Sequence, residues 1–252
     1  MISLDAATVL LQWAAGAMIG AWLTTRHDDV GRGYGQLVRL VFGLVALGSL
    51  ATARWSDSSW ARTLGATAVA TLCGAALVIA QRRGARPEGR AKAAQLDALA
   101  GLAGLVALVA AGLELSVGGL AIARWCVGAV FLGVVTDAML LGHWYLVQPG
   151  MPRSLLGELV SAVTVVWPLE VAVLLVPRGM GSVLSGAIDD GWGGTLGWMW
   201  AACALCTIAL CVVTRLALRE RGYSAVMAAT GLLYLAILTA FGTDLIARAV
   251  LA

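Results

Sequence analysis

Long apolar runs separated by short polar breaks make up nearly the whole chain. Eight runs approach or exceed the roughly 20 apolar residues needed to cross the hydrocarbon core of a bilayer. They cover residues 5–25, 36–53, 61–81, 95–115, 119–147, 155–176, 194–216 and 223–250. Within each run the apolar residues are continuous rather than alternating, which argues against a β-barrel. The first run has no basic stretch before it and is too long for a signal-peptide core, so it reads as a retained span. The pattern therefore predicts an all-α integral membrane protein. Its single domain, residues 1–252, would be one compact bundle of about eight transmembrane helices.

Composition supports this reading and removes others. Of 252 residues, 60% are apolar and only 12% charged, about half the charged fraction of a soluble domain. A net charge of +3 is too small and too dispersed for a nucleic-acid footprint. The five cysteines show no regular spacing, so no disulfide framework is indicated.

Charge enters next, as a guide to orientation. Arg26, Arg32, Arg39, Arg82, Arg83, Arg86, Arg90, Lys92, Arg153, Arg215, Arg219 and Arg221 fall on one side of the predicted bundle. Arg54, Arg62, Arg124, Arg178 and Arg248 fall on the other. The side richer in basic residues is expected to be cytoplasmic, which places both termini outside. The loop at 82–94 is then a topology determinant that also meets anionic lipid. The loop at 177–193 is expected to lie in the outer interface, because irregular backbone is tolerated at membrane depth only under cover.

A short internal echo relates spans one and five. Trp13, Gly16, Ala17 and Thr24 recur 112 residues later as Trp125, Gly128, Ala129 and Thr136. The echo suggests a weak parallel repeat of four plus four spans. Gly16 and Gly20 also have the spacing that lets helix backbones approach closely.

Ionisable residues away from helix ends are the informative ones in a bilayer, because they are expensive there. Asp137 lies near the midpoint of span five and reads as a protonatable group or a ligand for a quinone. His143 lies six residues further, about 120° around the helix, with Trp144 and Tyr145 beside it. Imidazole can donate to a quinone carbonyl, ligate haem iron or pass a proton. Glu170 follows the kink-prone Pro168. His143, Asp137 and Glu170 are accordingly the expected proton path. His143, Trp144, Tyr145 and Thr136 are the expected ligand-binding residues. A single haem b is the lesser alternative. The other histidine, His27, sits in a polar stretch beside Asp28 and Asp29 and is the one remaining imidazole for it. Asp244 and Arg248 have i,i+4 spacing and should pair, and Arg124 is expected to meet Glu114 across the turn between spans four and five.

Several chemistries are disfavoured. The single lysine, Lys92, sits in a basic loop, so no intramembrane lysine can carry a retinal. No phosphate-binding loop, dinucleotide fingerprint or His-Glu-x-x-His motif occurs. Cys203 and Cys206 fall within a span and no histidine follows them, so covalent haem attachment is excluded. No catalytic constellation or metal site is predicted. Three functions fit the chain. The first is a subunit of an energy-transducing, respiratory-type complex, with a quinone near the cytoplasmic side and protons handled by buried acids. The others are a proton-coupled secondary transporter of a small solute and a structural anchor without its own ligand. The expected surroundings are the lipid bilayer of a cell membrane, fitting a bacterial inner membrane, and other protein subunits. No nucleic acid is expected.

Overall fold

The computed structural model describes residues 5–27, 29–56, 59–83, 86–176, 179–220 and 222–251. Asp28, Arg178 and Arg221, and the first residue of the loop at 177–193, lie outside the described residues. The described residues form helices and turns with no strand. Eight long helices are apolar enough to cross a membrane. They are α1 (Ala6–Thr25), α2 (Arg32–Thr52), α3 (Trp60–Arg83), α4 (Pro87–Glu114), α5 (Gly119–Trp144), α6 (Arg153–Leu175), α8 (Thr195–Ala217) and α9 (Tyr223–Val250). A short helix, α7 (Met180–Leu184), lies between α6 and α8. By length and composition this is a multi-pass membrane protein.

Local chemistry sets the helix ends. Asp5 caps α1, accepting from the amides of Ala7 and Thr8. Burial opposes ionisation of Asp5, but the hydroxyls of Ser56 and Thr8 and the Arg62 guanidinium outweigh it. They hold the carboxyl below its usual range. Pro87 occupies the first turn of α4, where its missing N–H costs nothing. Glu114, at the end of α4, caps α3 by accepting from the amides of Trp60 and Ala61 and the hydroxyl of Ser59. Asp190 collects the amides of Trp192, Gly194, Leu196 and Gly197 at the start of α8.

The eight long helices pack as two rings. In one, α1 meets α2, α2 meets α3, α3 meets α4 and α4 returns to α1. In the other, α5 meets α6, α6 meets α8, α8 meets α9 and α9 returns to α5. The rings join where α1 lies along α5. Gly16 faces Ala129 and Gly133, and Gly20 faces Asp137, so the two helices run parallel. A Cβ on Gly16 would stand 1.6 Å from the Ala129 carbonyl oxygen. The close approach expected of the Gly16–Gly20 pair is therefore made, with α5 as the partner. Both central helices are apolar around their whole circumference, the pattern of a buried helix. Eight consecutive residues of α5, Phe131 to Ala138, are buried.

Helix boundaries differ from the sequence reading at three places. α2 begins at Arg32 rather than at residue 36, because Gly31 supplies an extended cap ahead of the glycine-rich turn. α4 begins eight residues before the apolar run, its first turns exposing Glu88 and Lys92 while burying Gly89, Ala93 and Ala94. α5 ends at Trp144, and residues 145–147 are turns. Arg124 does not meet Glu114. Its Nε donates to Val173 O (2.7 Å) and its Nη2 to Val176 O (3.1 Å), so it satisfies the open carbonyls at the end of α6. Glu114 is occupied by the start of α3. The end of the bundle holding Arg26, Arg39 and Arg153 is called the basic end below. Asp5 and Arg248 lie toward the other end.

Candidate functional site: buried carboxyls along α1 and α5

Asp137 is completely buried at the junction of α1, α2 and α5. Three features place it there. Gly20 has no side chain, and a Cβ at that position would stand 2.8 Å from Asp137 Cβ. Tyr34, on the first turn of α2, donates its hydroxyl to Asp137 Oδ1 at 2.5 Å. Thr24, on the last turn of α1, places Oγ1 3.3 Å from Oδ2. The same Thr24 hydroxyl lies 2.9 Å from the carbonyl of Ala21.

A threonine hydroxyl has one hydrogen to give. When Asp137 is ionised, Tyr34 donates to Oδ1 and Thr24 can turn toward Oδ2. When it is protonated, Oδ2–H can donate to Thr24 Oγ1, whose own hydrogen goes to Ala21 O. Either form of the carboxyl is satisfied without moving a heavy atom.

Thr136 donates to Leu132 O (2.6 Å) and accepts from Trp13 Nε1 (3.0 Å). It therefore bridges the two central helices one residue before Asp137. Trp144 shares the Tyr34 side with Asp137, as their spacing of seven residues implies, and meets the Tyr34 ring edge-on at 5.8 Å. Tyr145 turns away and donates to Pro152 O at 2.7 Å. That tyrosine lies beyond α5, and its largest influence, burial, pushes its hydroxyl up to about 12.

His143 points elsewhere. Apart from Gly119 it is the only exposed residue of α5. Its Nδ1 lies 3.2 Å from the hydroxyl of Tyr234 on α9, itself 43% exposed. Gly142 faces Thr230, seven residues into α9, or about 10 Å along the helix. The pair therefore sits well inside the length of α9. His27, by contrast, meets Glu158 at 3.2 Å, which also binds Arg26. It lines a small pocket with Arg32, Arg39 and Arg90. The two histidines have different partners, and no group of three potential metal ligands occurs among the described residues.

Glu170 is buried on α6 in the half away from the basic end. The charges acting on it come from Asp244, Arg248 and Arg124. Asp244 and Arg248 form the expected i,i+4 pair at 2.6 Å. The three residues of the expected proton path therefore lie in separate surroundings: His143 bonds Tyr234, Asp137 bonds Tyr34 and Thr24, and Glu170 feels the charges of the α9 pair without a hydrogen bond to them. The four expected ligand residues also do not converge, since Thr136 and Tyr145 are buried and turn from His143.

The sequence reading missed Tyr34, Thr24 and Tyr234, which supply the partners. It also missed Asp97, which is fully buried on α4 and takes Arg39 through two bonds of 2.8 and 2.6 Å and Thr25 at 2.9 Å. An acid and an arginine each lying inside an apolar run were the available signal. Cys203 packs its sulfur against Gly242 and Cys206 is exposed; both thiols are free. The chain matches no protein-family model, and no curated protein or solved structure is significantly similar to it.

Proposed function

We propose that the chain is a proton-handling membrane subunit of an energy-transducing, respiratory-type complex, set in a cell membrane with both termini outside. The seat of Asp137 carries this reading. A buried carboxyl in a membrane span is costly, and a purely structural one needs partners for a single charge state. Asp137 has partners for both.

The quinone part of the reading rests on His143 and Tyr234. When Tyr234 donates to Nδ1, the imidazole hydrogen lies on Nε2, and His143 is exposed. A lipid-soluble quinone reaching this flank would find an N–H donor for its carbonyl. The expected partners are lipid and the complex's other subunits. To test it, the purified protein is titrated with short-chain ubiquinone and menaquinone analogues while tryptophan fluorescence is followed. Saturable quenching is expected. His143→Ala and Tyr234→Phe should each weaken it about tenfold, the worth of roughly one hydrogen bond. Quenching that never saturates, or that both variants leave unchanged, would remove the quinone. A reduced-minus-oxidised spectrum should be flat; a sharp α-band would put a haem in its place.

A second reading, a proton-coupled transporter, is favoured by the two four-helix rings meeting at α1 and α5. Together with the Trp13 and Trp125 echo, they fit a parallel repeat. Solute flux driven by the purified chain alone in vesicles would replace the first reading with this one.

A further inference from the structure

The half of the bundle away from the basic end holds a set of polar atoms that Asp137 does not use. Gln12 on α1, Glu170 on α6 and Arg248 on α9 are each 0% exposed. Arg248 Nε donates to Asp244 Oδ2, and its Nη2 donates to Gln12 Oε1. Beyond those bonds, Gln12 Nε2, Arg248 Nη1 and both carboxylate oxygens of Glu170 have no partner. The indole nitrogen of Trp125, the residue after Arg124, also has none. Two donor groups and one acceptor pair are thus left open on side chains that already act on one another.

Burying that many unpaired groups in a low-dielectric interior would cost several kcal/mol. Buried polar groups are ordinarily satisfied, by ordered water where protein atoms do not reach. With Glu170 ionised the charges balance, Arg124 and Arg248 against Glu170 and Asp244, so no ion is called for. Gly128 lets these side chains pack directly against the α5 backbone. A Cβ at that position would stand 2.3 Å from Gln12 Nε2 and 2.8 Å from Asp244 Oδ1. An alanine there would push the open amide of Gln12 and the Asp244 carboxylate out of place.

We propose that Gln12, Glu170 and Arg248 hold an enclosed cluster of water, and that Glu170 exchanges its proton with it. The waters bridge the Glu170 carboxyl to Arg248 Nη1 and Gln12 Nε2. As a hydrated site this stands alone; as a limb of a proton path it rests on the function proposed above.

Hydroxyl-radical labelling by brief X-ray exposure tests the site in protein held in lipid nanodiscs. Radicals form from water, so a buried ring is labelled only where water lies beside it. Trp125 and Phe131 are equally hidden, at 2% and 0% exposed, and Phe131 lies in the apolar core. Trp125 is expected to be labelled several-fold faster than Phe131. Gly128→Ala should reduce that excess, and Gly157→Ala, at a glycine with nothing near it, should not. Equal slow labelling of both rings, or a Trp125 rate indifferent to Gly128→Ala in protein that unfolds like wild type, would overturn the proposal. Should Gly128→Ala fail to fold, Gln12→Leu replaces it, with the same expected loss. Proton uptake is measured separately with Glu170→Gln. Labelling that persists while uptake is unaffected would leave the water in place and remove its role in proton handling.

Discussion

Gly133→Ala should separate the two central helices. The added Cβ would stand 1.8 Å from the carbonyl carbon of Gly16 and 2.2 Å from the amide nitrogen of Ala17. Non-bonded carbons settle near 3.5–4.0 Å, so the helices must part by roughly 2 Å at the crossing. The obstructing atoms are backbone and cannot rotate aside. Trp13 Nε1 now lies 3.0 Å from Thr136 Oγ1, and a shift of that size breaks the bond. Overpacking costs about 1–3 kcal/mol, and a backbone clash belongs at the upper end. For a chain of this size that corresponds to a fall of about 6–12 °C in Tm. The assay is thermal unfolding in one detergent, with Gly157→Ala and Gly231→Ala as controls, since nothing lies within 4 Å of a Cβ at either position. Those two should hold or gain up to about 1 kcal/mol from helix propensity. A Gly133→Ala protein that melts with wild type would refute the backbone contact between α1 and α5.

Other outcomes follow from the remaining buried groups. Asp97→Asn strips the buried Arg39 of its counter-charge and should cost about 3–5 kcal/mol. Arg39→Leu combined with Asp97→Leu should recover much of that loss, and denaturation that ranks the double change below the single one contradicts the pairing. Glu158→Gln, at a half-exposed ion pair with Arg26, should change stability by about 0–1 kcal/mol; a larger loss would mean that this end of the bundle depends on it. Asp5 is held below its usual range in the folded chain, against about 3.9 when unfolded. Its contribution to stability is complete above that unfolded value and is lost as pH falls through the lower folded one. Asp5→Asn should therefore flatten the decline of Tm between about pH 5 and 3, and an unchanged decline assigns it to other groups.

The helices were legible because hydrophobic period and run length report directly on spans. Their ends were less so, and that is where partners were lost. Tyr34 lies just before the apolar run at 36–53, yet Gly31 is a cap and Tyr34 already lies in α2. Asp137 was legible as a carboxyl at mid-span, but Tyr34 and Thr24 come from other helices, and no spacing within α5 reports on them. Asp97 lies two residues inside the start of its apolar run, and its partners Arg39 and Thr25 come from other helices, on which no spacing within α4 reports. The i,i+4 pair of Asp244 and Arg248 was read correctly because it is local to one helix. Arg124 was misassigned because nearness along the chain suggested Glu114, whereas the carbonyls that bind it come from the end of α6.

The central claim is that Asp137 takes up and releases a proton inside the membrane. Infrared difference spectroscopy on the purified protein, recorded across a pH titration in water and in D₂O, tests it most directly. The account predicts a protonated-carboxyl band that changes with pH, shifts in D₂O and disappears in Asp137→Asn. A band that Asp137→Asn leaves intact, or a carboxyl region that does not change with pH, would contradict it.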